Sequence, residues 1–479
     1  MRVQLIYPPI SRWDRYSSDI GNAGGRQVPL GVFYLAAYLR QHGHRVGVID
    51  AEALELSSRA AAEQALAFRP EAVGISATTV AFHRACEVAR RLKHLAPGLP
   101  LILGGPHVTA APEDAMQAQP FDYGVVGEGE ETLQALLETL AQGGHPGRVE
   151  GIVWRSDGKP RVNPPRPYIP DLDRLPPPAY DLVPDLSVYN PPPCNYQRLP
   201  VVNVITSRGC PSRCTFCDRS VFGQRLRTRS AENIAAEIDL LYHRYGMREI
   251  AFVDDTFTLR PHRIRELFEL LDQKKIRCPW TCMSRINTVD YDLLKFMRRS
   301  GCWHVSFGIE SGDPEILETI QKRISLDQTR RVVAWCRSLG ILTKGFFIVG
   351  HPGETPDTIE RSIRFALELP LDDVVVTLNT PLPGTEQYAN AHRYGRLERT
   401  DWSRFNMWNP VFVPRGLTRD LLLRKHREFY RRFYLRPRPM ARYLGSFCSP
   451  AGLRRAHALV LSLPFLIGRQ RTKIKAQGA

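Results

Sequence analysis

Short apolar segments alternate with longer amphipathic ones along the first 145 residues. Short apolar runs predict buried strands, whereas apolar positions spaced three and four residues apart over longer stretches predict helices. Strands are expected at 3–7, 45–50, 72–76, 101–103 and 123–126, and helices at 31–42, 58–68, 81–95 and 132–142. Short strands alternating with helices imply a parallel sheet covered on both faces, so residues 1–145 are predicted to form a doubly wound, Rossmann-like α/β domain.

Proline is concentrated between residues 146 and 198, most densely at 164–165, 176–178 and 191–193. Apart from a hairpin expected at 151–162, this composition predicts a semi-rigid linker and a domain boundary.

The strand and helix patterns then repeat six times between residues 199 and 415. Strands are expected at 201–206, 250–254, 280–284, 303–309, 343–349 and 373–377, and helices at 231–245, 261–274, 291–299, 326–339 and 355–368. Six consecutive βα units with right-handed crossovers predict a partial TIM-type barrel. In both predicted domains, binding residues are expected where the carboxyl ends of the strands open into loops.

The net charge of +16 is concentrated in the last predicted region, residues 416–479. From residue 419 onward there are fifteen Lys and Arg against two acidic residues, so the rest of the chain is close to neutral. A basic surface spread over the whole protein would indicate nucleic-acid binding, and this distribution does not. No segment has the pattern of a signal peptide or of an apolar membrane span, so a cytoplasmic protein is expected.

The basic C-terminal region has apolar and charged residues at near-helical spacing. The apolar set is Leu422, Phe429 and Phe433, and the basic set on another face is Arg424, Arg427 and Arg431. A second segment, 456–468, is almost wholly apolar but is interrupted by Pro464. Two interpretations are open and compatible: a helical cap on the barrel, and peripheral contact with the inner membrane surface.

Cys210, Cys214 and Cys217 form a CxxxCxxC run directly after the first strand of the predicted barrel. Three thiolates can hold three corners of a four-iron cluster, and the missing fourth ligand leaves one iron open. An open position on a metal is typical of a reacting centre. A zinc site is disfavoured because zinc sites usually pair two CxxC units, and the chain has no second unit to pair with Cys214 and Cys217. The remaining cysteines are scattered, which indicates a reducing compartment.

With Phe216 directly before the third cysteine, this run resembles the signature of the radical S-adenosylmethionine (SAM) enzymes. The resemblance implies a [4Fe–4S] cluster that cleaves SAM to a 5′-deoxyadenosyl radical. The electron for this cleavage would come from an external reductant of the flavodoxin or ferredoxin type. It assigns SAM-binding roles along successive strand ends to Phe216, Asp254, Asp255, Arg285, Glu310, Ser311 and Gly350. The two aspartates would accept from the methionine ammonium, Arg285 would pair with its carboxylate, and Glu310 would bind the ribose. No catalytic residue beyond the cluster is predicted.

The first domain adds a second resemblance, through residues 29–39, 104–107 and 127–130, to the cobalamin-binding radical SAM enzymes. It implies cobalamin contacts from Ser76, Thr78, Thr79, Gly104, Gly105, His107, Val108, Gly127, Glu128, Gly129 and Glu130. For His107 the backbone is the expected contact rather than the ring. The DxHxxG run that supplies a cobalt-ligating histidine in many cobalamin proteins is absent, so the lower ligand of cobalt stays open. A domain that only docks against the barrel is the alternative.

The resemblance implies an enzyme that methylates an unactivated carbon of a small-molecule or lipid-like substrate. A cyclase or oxidoreductase like the anaerobic magnesium-protoporphyrin monomethyl ester cyclase is the alternative within the same superfamily. A tRNA methylthiotransferase would carry a further cysteine trio, whereas residues 1–85 contain no cysteine. A non-catalytic cobalamin-binding protein would need neither the trio nor the ordered SAM motifs.

Overall fold

A seven-stranded sheet organises the first domain in the computed structural model, which describes residues 1–17, 25–117, 120–192, 195–398 and 401–437. Its strands are β1 Arg2–Tyr7, β2 Arg45–Asp50, β3 Ala72–Ser76, β4 Leu101–Gly104, β5 Tyr123–Val125, β6 Ile152–Ser156 and β7 Lys159–Val162. Their order is β2-β1-β3-β4-β5-β6-β7, and the first five run parallel. The predicted hairpin, β6–β7, extends this sheet antiparallel to β5.

Helices cover both faces of this sheet. They are α1 Arg12–Tyr16, α2 Leu30–Gln41, α3 Ser58–Ala67, α4 Phe82–Leu95, α5 Pro106–Ala110, α6 Pro112–Met116 and α7 Gly129–Ala141. Because strand side chains alternate between faces, Leu5 packs with α2 and α7, whereas Ile6 packs with α3 and α4. The predicted doubly wound α/β architecture is confirmed.

A second sheet, of six parallel strands, forms the partial barrel. Its strands are β8 Val201–Val204, β11 Glu249–Phe252, β12 Trp280–Ser284, β13 Cys302–Glu310, β14 Leu342–Val349 and β15 Asp373–Leu378, in the order β15-β14-β13-β12-β11-β8. Two short strands after β8, β9 Ser207–Arg208 and β10 Arg227–Thr228, pair antiparallel and frame the cysteine loop. The prediction of six βα units is confirmed.

The barrel helices bury one face against the outer side of this sheet. They are α8 Ala231–His243, α9 Pro261–Gln273, α10 Tyr291–Arg299, α11 Pro314–Thr319, α12 Leu326–Ser338 and α13 Pro356–Glu368. Most begin at a Ser, Thr or Asp that accepts a hydrogen bond from the third residue of the helix, as Ser230 does for α8 and Asp290 for α10. Aromatic packing is dense at the centre, where Trp280 stacks on Phe268 with ring centroids 4.7 Å apart.

The end of the described chain folds back over both domains. It contains α14 Glu386–Tyr394, β16 Gly395–Leu397, β17 Phe412–Pro414 and α15 Arg419–Tyr434. Leu422, Phe429 and Phe433 of α15 are buried against the barrel, whereas its exposed arginines face away. The predicted helical cap is therefore confirmed for α15. The apolar segment 456–468 lies outside the described residues, and within them no helix is long and apolar enough to cross a bilayer.

Candidate active site

The cysteine loop is held in place by backbone contacts on both sides. Gly209 adopts a φ of +87°, and a β-carbon there would collide with the carbonyl oxygen of Arg225, so glycine is required. The N–H of Cys210 donates to the carbonyl of Gly223 at 3.3 Å, and the N–H of Thr215 donates to that of Ile320 at 3.1 Å. The three cysteines are thus presented at the carboxyl end of β8 by a tightly tied loop.

The three thiols have the chemistry of cluster ligands. A hydrogen bond from Cys217, followed by the charges of Lys322 and Arg285, lowers the pKa of the Cys214 thiol to about 5. Nη1 of Arg285 lies 3.3 Å from Sγ of Cys214. The same hydrogen bond, followed by burial, raises the pKa of Cys217, so within this pair the thiolate is favoured at Cys214. Three cysteine sulfurs are usual ligands of an iron–sulfur cluster, and this donor set fits one. Among the described residues, no three His, Cys, Asp or Glu side chains are close enough to share a single metal ion.

Glu310 and Lys322 form a buried ion pair beside the cysteines, with 2.7 Å between Oε1 and Nζ. Glu310 ends β13 at a φ of +69°, next to an irregularity in its pairing with β14. Backbone conformations of this kind cluster at functional sites. Nζ of Lys322 also lies 5.7 Å from the ring centroid of Phe216. Lys322 was not predicted, because it follows a short helix rather than a strand end, and only the fold brings it to the site.

The two aspartates after β11 occupy different environments. Asp254 is fully buried, and its carboxylate accepts from the N–H of Thr206 at 3.1 Å, from the hydroxyl of Thr206 at 2.8 Å and from the hydroxyl of Ser207. Asp254 thus binds the backbone and hydroxyl groups that follow β8. The structure therefore favours a role for Asp254 in holding this segment in place over the predicted contact with the SAM ammonium. Asp255 is exposed to the space between the domains. Although its surface is accessible, the protein atoms around it limit its hydration, and this desolvation, followed by the charge of Asp254, raises the pKa of Asp255.

The loop after β14 contains two buried polar groups that sequence reasoning missed. His351 is fully buried with its ring centroid 5.7 Å from that of Phe216, and neither ring nitrogen has a hydrogen-bond partner in the described part of the chain. Burial lowers its pKa to about 3, so the ring is neutral. Oε2 of Glu354 accepts from the N–H of Gly350 at 2.5 Å. Unpaired buried nitrogens beside predicted SAM contacts are suited to hydrogen-bonding a polar ligand.

Ser311, another predicted SAM contact, is engaged within the protein. Its hydroxyl lies 3.0 Å from that of Ser362 and accepts from the N–H of Asp313 at 3.2 Å. It is fully buried, so its side chain supports the turn after β13. Direct contact of this hydroxyl with a ligand is therefore not supported.

A cavity of about 490 Å³ separates the cysteine loop from the first domain. Its floor is the carboxyl edge of the first sheet, where Gly104 ends β4, Gly105 follows it, and residues 127–130 lead from β5 into the first turn of α7. Gly105 has a φ of +95°, and a β-carbon there would lie 2.8 Å from the carbonyl oxygen of Ala77. Its roof consists of second-domain residues: Arg208, Asp218, Arg219, Val221, Phe222, Gly223 and Asp255.

The predicted cobalamin contacts divide into two groups. Ser76, Gly104, Gly105 and all four residues of 127–130 line the cavity. Thr78, Thr79, His107 and Val108 do not. The ring of His107 packs against Phe82 and Trp402, with ring centroids 4.1 and 5.2 Å apart, which places it behind the cavity wall. The cavity lining therefore does not support direct side-chain contact by these four residues, which stay predictions. His107 and Val108 of α5 are buried in the domain core, whereas Thr78 and Thr79 belong to the turn after β3.

Two family models match the two domains in the order that they occupy along the chain. The B12 binding domain model matches residues 16–137, and the Radical SAM superfamily model matches residues 204–366. The first match includes the glycines of the cavity floor, and the second includes the cysteines and the strand ends with the predicted SAM contacts.

Two relatives match nearly the whole chain. A protein of Pyrococcus horikoshii named as an uncharacterized methyltransferase is 37% identical over 440 residues, covering 91% of this chain and 93% of the relative. The anaerobic magnesium-protoporphyrin IX monomethyl ester cyclase of Rubrivivax gelatinosus is 28% identical over 443 residues, covering 91% of this chain and 78% of the relative.

A solved structure shares the fold. The radical SAM methyltransferase TsrM from Kitasatospora setae, solved with cobalamin and a [4Fe-4S] cluster bound, has a TM-score of 0.65 at 20% sequence identity. The similarity covers 82% of this chain and 75% of that chain. The two-domain arrangement is therefore shared with a protein that holds both cofactors.

Proposed function

Because the chain belongs to the family of cobalamin-dependent radical SAM methyltransferases, we propose that it transfers a methyl group from cobalamin to an unactivated carbon of a small-molecule or lipid-like substrate. The family uses a [4Fe–4S] cluster, SAM and cobalamin, and the chain is an enzyme. Methylation at an unactivated carbon and the small-molecule or lipid-like class of the substrate are the parts that we propose.

The observation that supports the proposal is that one cavity borders both predicted cofactor sites. Its floor is formed by the glycine loops of the first domain, and its roof includes Asp218, Arg219 and residues 221–223, directly after the third cysteine. Radical generation at one site and methyl transfer at the other require the substrate to reach both. A shared space lined by both domains provides that proximity.

The residues of the chain supply positioning and charge rather than the bond-breaking chemistry. When bound, the cluster supplies the electron that cleaves SAM to the 5′-deoxyadenosyl radical, and cobalamin supplies the methyl group. Arg285 and Lys322 place two positive charges beside Cys214, which stabilises the thiolate form. Asp255 borders the cavity from the cluster side, where its carboxylate can accept from the SAM ammonium. An external one-electron reductant of the flavodoxin or ferredoxin type completes the proposed system.

A cyclase is the second candidate, supported by the 28% identity to the magnesium-protoporphyrin cyclase. Cobalamin methylation by SAM separates the two functions even without a known substrate. The anaerobically reconstituted full chain is incubated with hydroxocobalamin, a one-electron reductant and methyl-labelled SAM. We expect labelled cobalamin together with S-adenosylhomocysteine. Formation of 5′-deoxyadenosine without any labelled cobalamin would contradict methyl transfer and favour the cyclase.

The same assay tests the assignment of the cluster. A triple Cys→Ala variant at 210, 214 and 217 should contain no cluster iron and form no 5′-deoxyadenosine. A variant that retains four irons and still cleaves SAM would show that the cluster lies elsewhere.

A further inference from the structure

A buried ion network joins the two domains beside the cavity. Oε1 of Glu128 and Oε1 of Glu130 lie 2.8 and 2.5 Å from the two terminal nitrogens of Arg208. Oε2 of Glu128 lies 2.7 Å from Nη1 of Arg227, which also donates to the carbonyl of Ile169 at 2.7 Å. All four charged side chains are only 4–6% exposed. Two carboxylates of the first domain thus neutralise two arginines of the second.

The network is attached to the cysteine loop through one residue. Arg208 ends β9, and Gly209, which tolerates no side chain, connects it to Cys210. The guanidinium of Arg208 also lies 5.1 Å from the ring centroid of Phe222, in the segment that accepts the N–H of Cys210. A displacement of Arg208 is therefore transmitted to the first cluster ligand over a short, stiff connection.

The same network also forms part of the cavity wall. Glu128, Glu130 and Arg208 all line the cavity, and the two glutamates belong to the loop that is predicted to contact cobalamin. Charges buried at this depth are costly to separate, because removal of one partner leaves the other uncompensated. The loop of the first domain and the loop of the second domain therefore move together.

We propose that the Glu128–Arg208–Glu130 network couples the two cofactor sites, with Arg208 as the positioning residue. Cobalamin in the cavity fixes the loop 127–130 and, through Arg208, the cysteine loop. Coupling between binding sites is reciprocal, so a cysteine loop ordered by its cluster must in turn tighten the binding of cobalamin. This inference goes beyond the proposed methyl transfer and rests only on the binding of both cofactors.

The coupling can be measured on the wild-type chain without any variant. Hydroxocobalamin is titrated into the anaerobic full chain before and after reconstitution with iron and sulfide, and the corrin absorbance reports binding. We expect the dissociation constant to be at least about fivefold lower in the cluster-loaded protein, the lower bound of typical couplings. Equal constants in the two forms would overturn the proposal, whereas absence of binding in both would overturn the cofactor assignment itself.

An arginine variant and a matched control identify the residue responsible. Arg208→Lys keeps the charge but replaces the fork that reaches two carboxylates by a single ammonium, so the ratio of the two constants should fall towards one at normal iron content. Arg229 is also buried, pairs with Glu237 and donates to the hydroxyl of Tyr34 at 3.1 Å, but it does not line the cavity. Arg229→Lys should therefore keep the wild-type ratio.

Two outcomes would contradict the role of Arg208. A wild-type ratio in Arg208→Lys would remove it from the coupling, and an equal loss in both lysine variants would indicate a general clamp between domains. If Arg208→Lys takes up no iron, Glu130→Gln replaces it, since it removes one charge at constant length and leaves the Glu128 pair intact. The ratio of its two dissociation constants should lie between the wild-type ratio and a ratio of one. A ratio equal to that of the wild type would overturn the proposal.

Discussion

At the residue scale, burial determines the protonation state of the loop after β14. Burial raises the pKa of Glu354 to about 8, although the N–H groups of Gly350 and His351 act in the opposite direction. The folded state thus binds a proton that the unfolded state, with the ordinary pKa of 4.5, releases at lower pH. This contribution to stability is complete below that value and is lost as the pH rises through the folded pKa.

We therefore expect the unfolding temperature of the wild type to fall more steeply from about pH 6 to about pH 8.5 than that of Glu354→Gln. The glutamine keeps the shape of the side chain but does not titrate. Thermal unfolding at several pH values, monitored by circular dichroism, checks this. Parallel curves for the two proteins would contradict the buried, protonated state of Glu354.

His351 gives a residue-scale prediction about SAM. Its two unpartnered ring nitrogens cost free energy unless a ligand satisfies them, and a recovered hydrogen bond contributes about 0.5–1.5 kcal/mol. We expect His351→Ala to raise the dissociation constant for SAM by up to about tenfold, measured by equilibrium dialysis. Iron content is the control, since the imidazole is not a predicted ligand. Unchanged SAM affinity at normal iron content would exclude this role.

At the element scale, the edge strand β15 depends on α15. The hydroxyl of Tyr430 accepts from the N–H of Val376 at 2.9 Å and donates to its carbonyl at 3.0 Å, and His426 also contacts this carbonyl. An open strand edge is thereby satisfied by side chains. The strand order makes β15 terminal in its sheet, so this protection has no substitute from another strand among the described residues.

Tyr430→Phe removes both hydrogen bonds. His426 still contacts the carbonyl of Val376, but the buried N–H of Val376 is left unsatisfied, a cost of about 1–3 kcal/mol. We expect its unfolding temperature to fall by several degrees, at about 2–4 °C per kcal/mol. Tyr291→Phe, which alters a side chain that is 40% exposed, is the control and should match the wild type. Equal unfolding temperatures for all three proteins would show that α15 does not stabilise the edge.

The strand and helix pattern was predictable because it depends on local periodicity, and the cysteine loop because its spacing is specific. The hydrogen-bond partners and the burial of individual side chains were not predictable in the same way. Asp254 and Asp255 are adjacent in sequence, yet only the fold shows that the carboxylate of Asp254 accepts hydrogen bonds from the hydroxyls after β8. His107 follows a glycine loop, as a cobalamin contact would, but the short helix α5 buries its ring. Lys322 reaches the site by tertiary packing alone.

At the scale of the whole molecule, the basic residues of the C-terminal region fall into two groups, one in α15 and one in residues 438–479. Within α15, Arg432 lies 2.8 Å from Glu360, and the Leu422 face is buried, so this helix belongs to the barrel. Residues 438–479 contain eight Lys and Arg and no acidic residue. Anionic lipid attracts each such charge with about 1 kcal/mol near the surface.

We therefore expect the full chain to sediment with anionic vesicles at low salt and to be released at high salt. Deletion of residues 438–479, which preserves α15, should abolish sedimentation. Neutral vesicles are the control and should bind neither protein. Binding that survives the deletion would place the membrane contact elsewhere, and absence of binding at low salt would exclude it.

The central claim is that cobalamin occupies the cavity between the domains, next to the cluster loop. Gly104 lines this cavity, and a β-carbon there has no heavy atom within 4 Å, so Gly104→Leu should fill the space without strain. Gly98, equally unobstructed but outside the cavity, provides the control Gly98→Leu. Binding of hydroxocobalamin to the reconstituted chain is the decisive measurement. We expect one cobalamin per chain in the wild type and Gly98→Leu and none in Gly104→Leu; binding by Gly104→Leu with wild-type affinity would contradict the account.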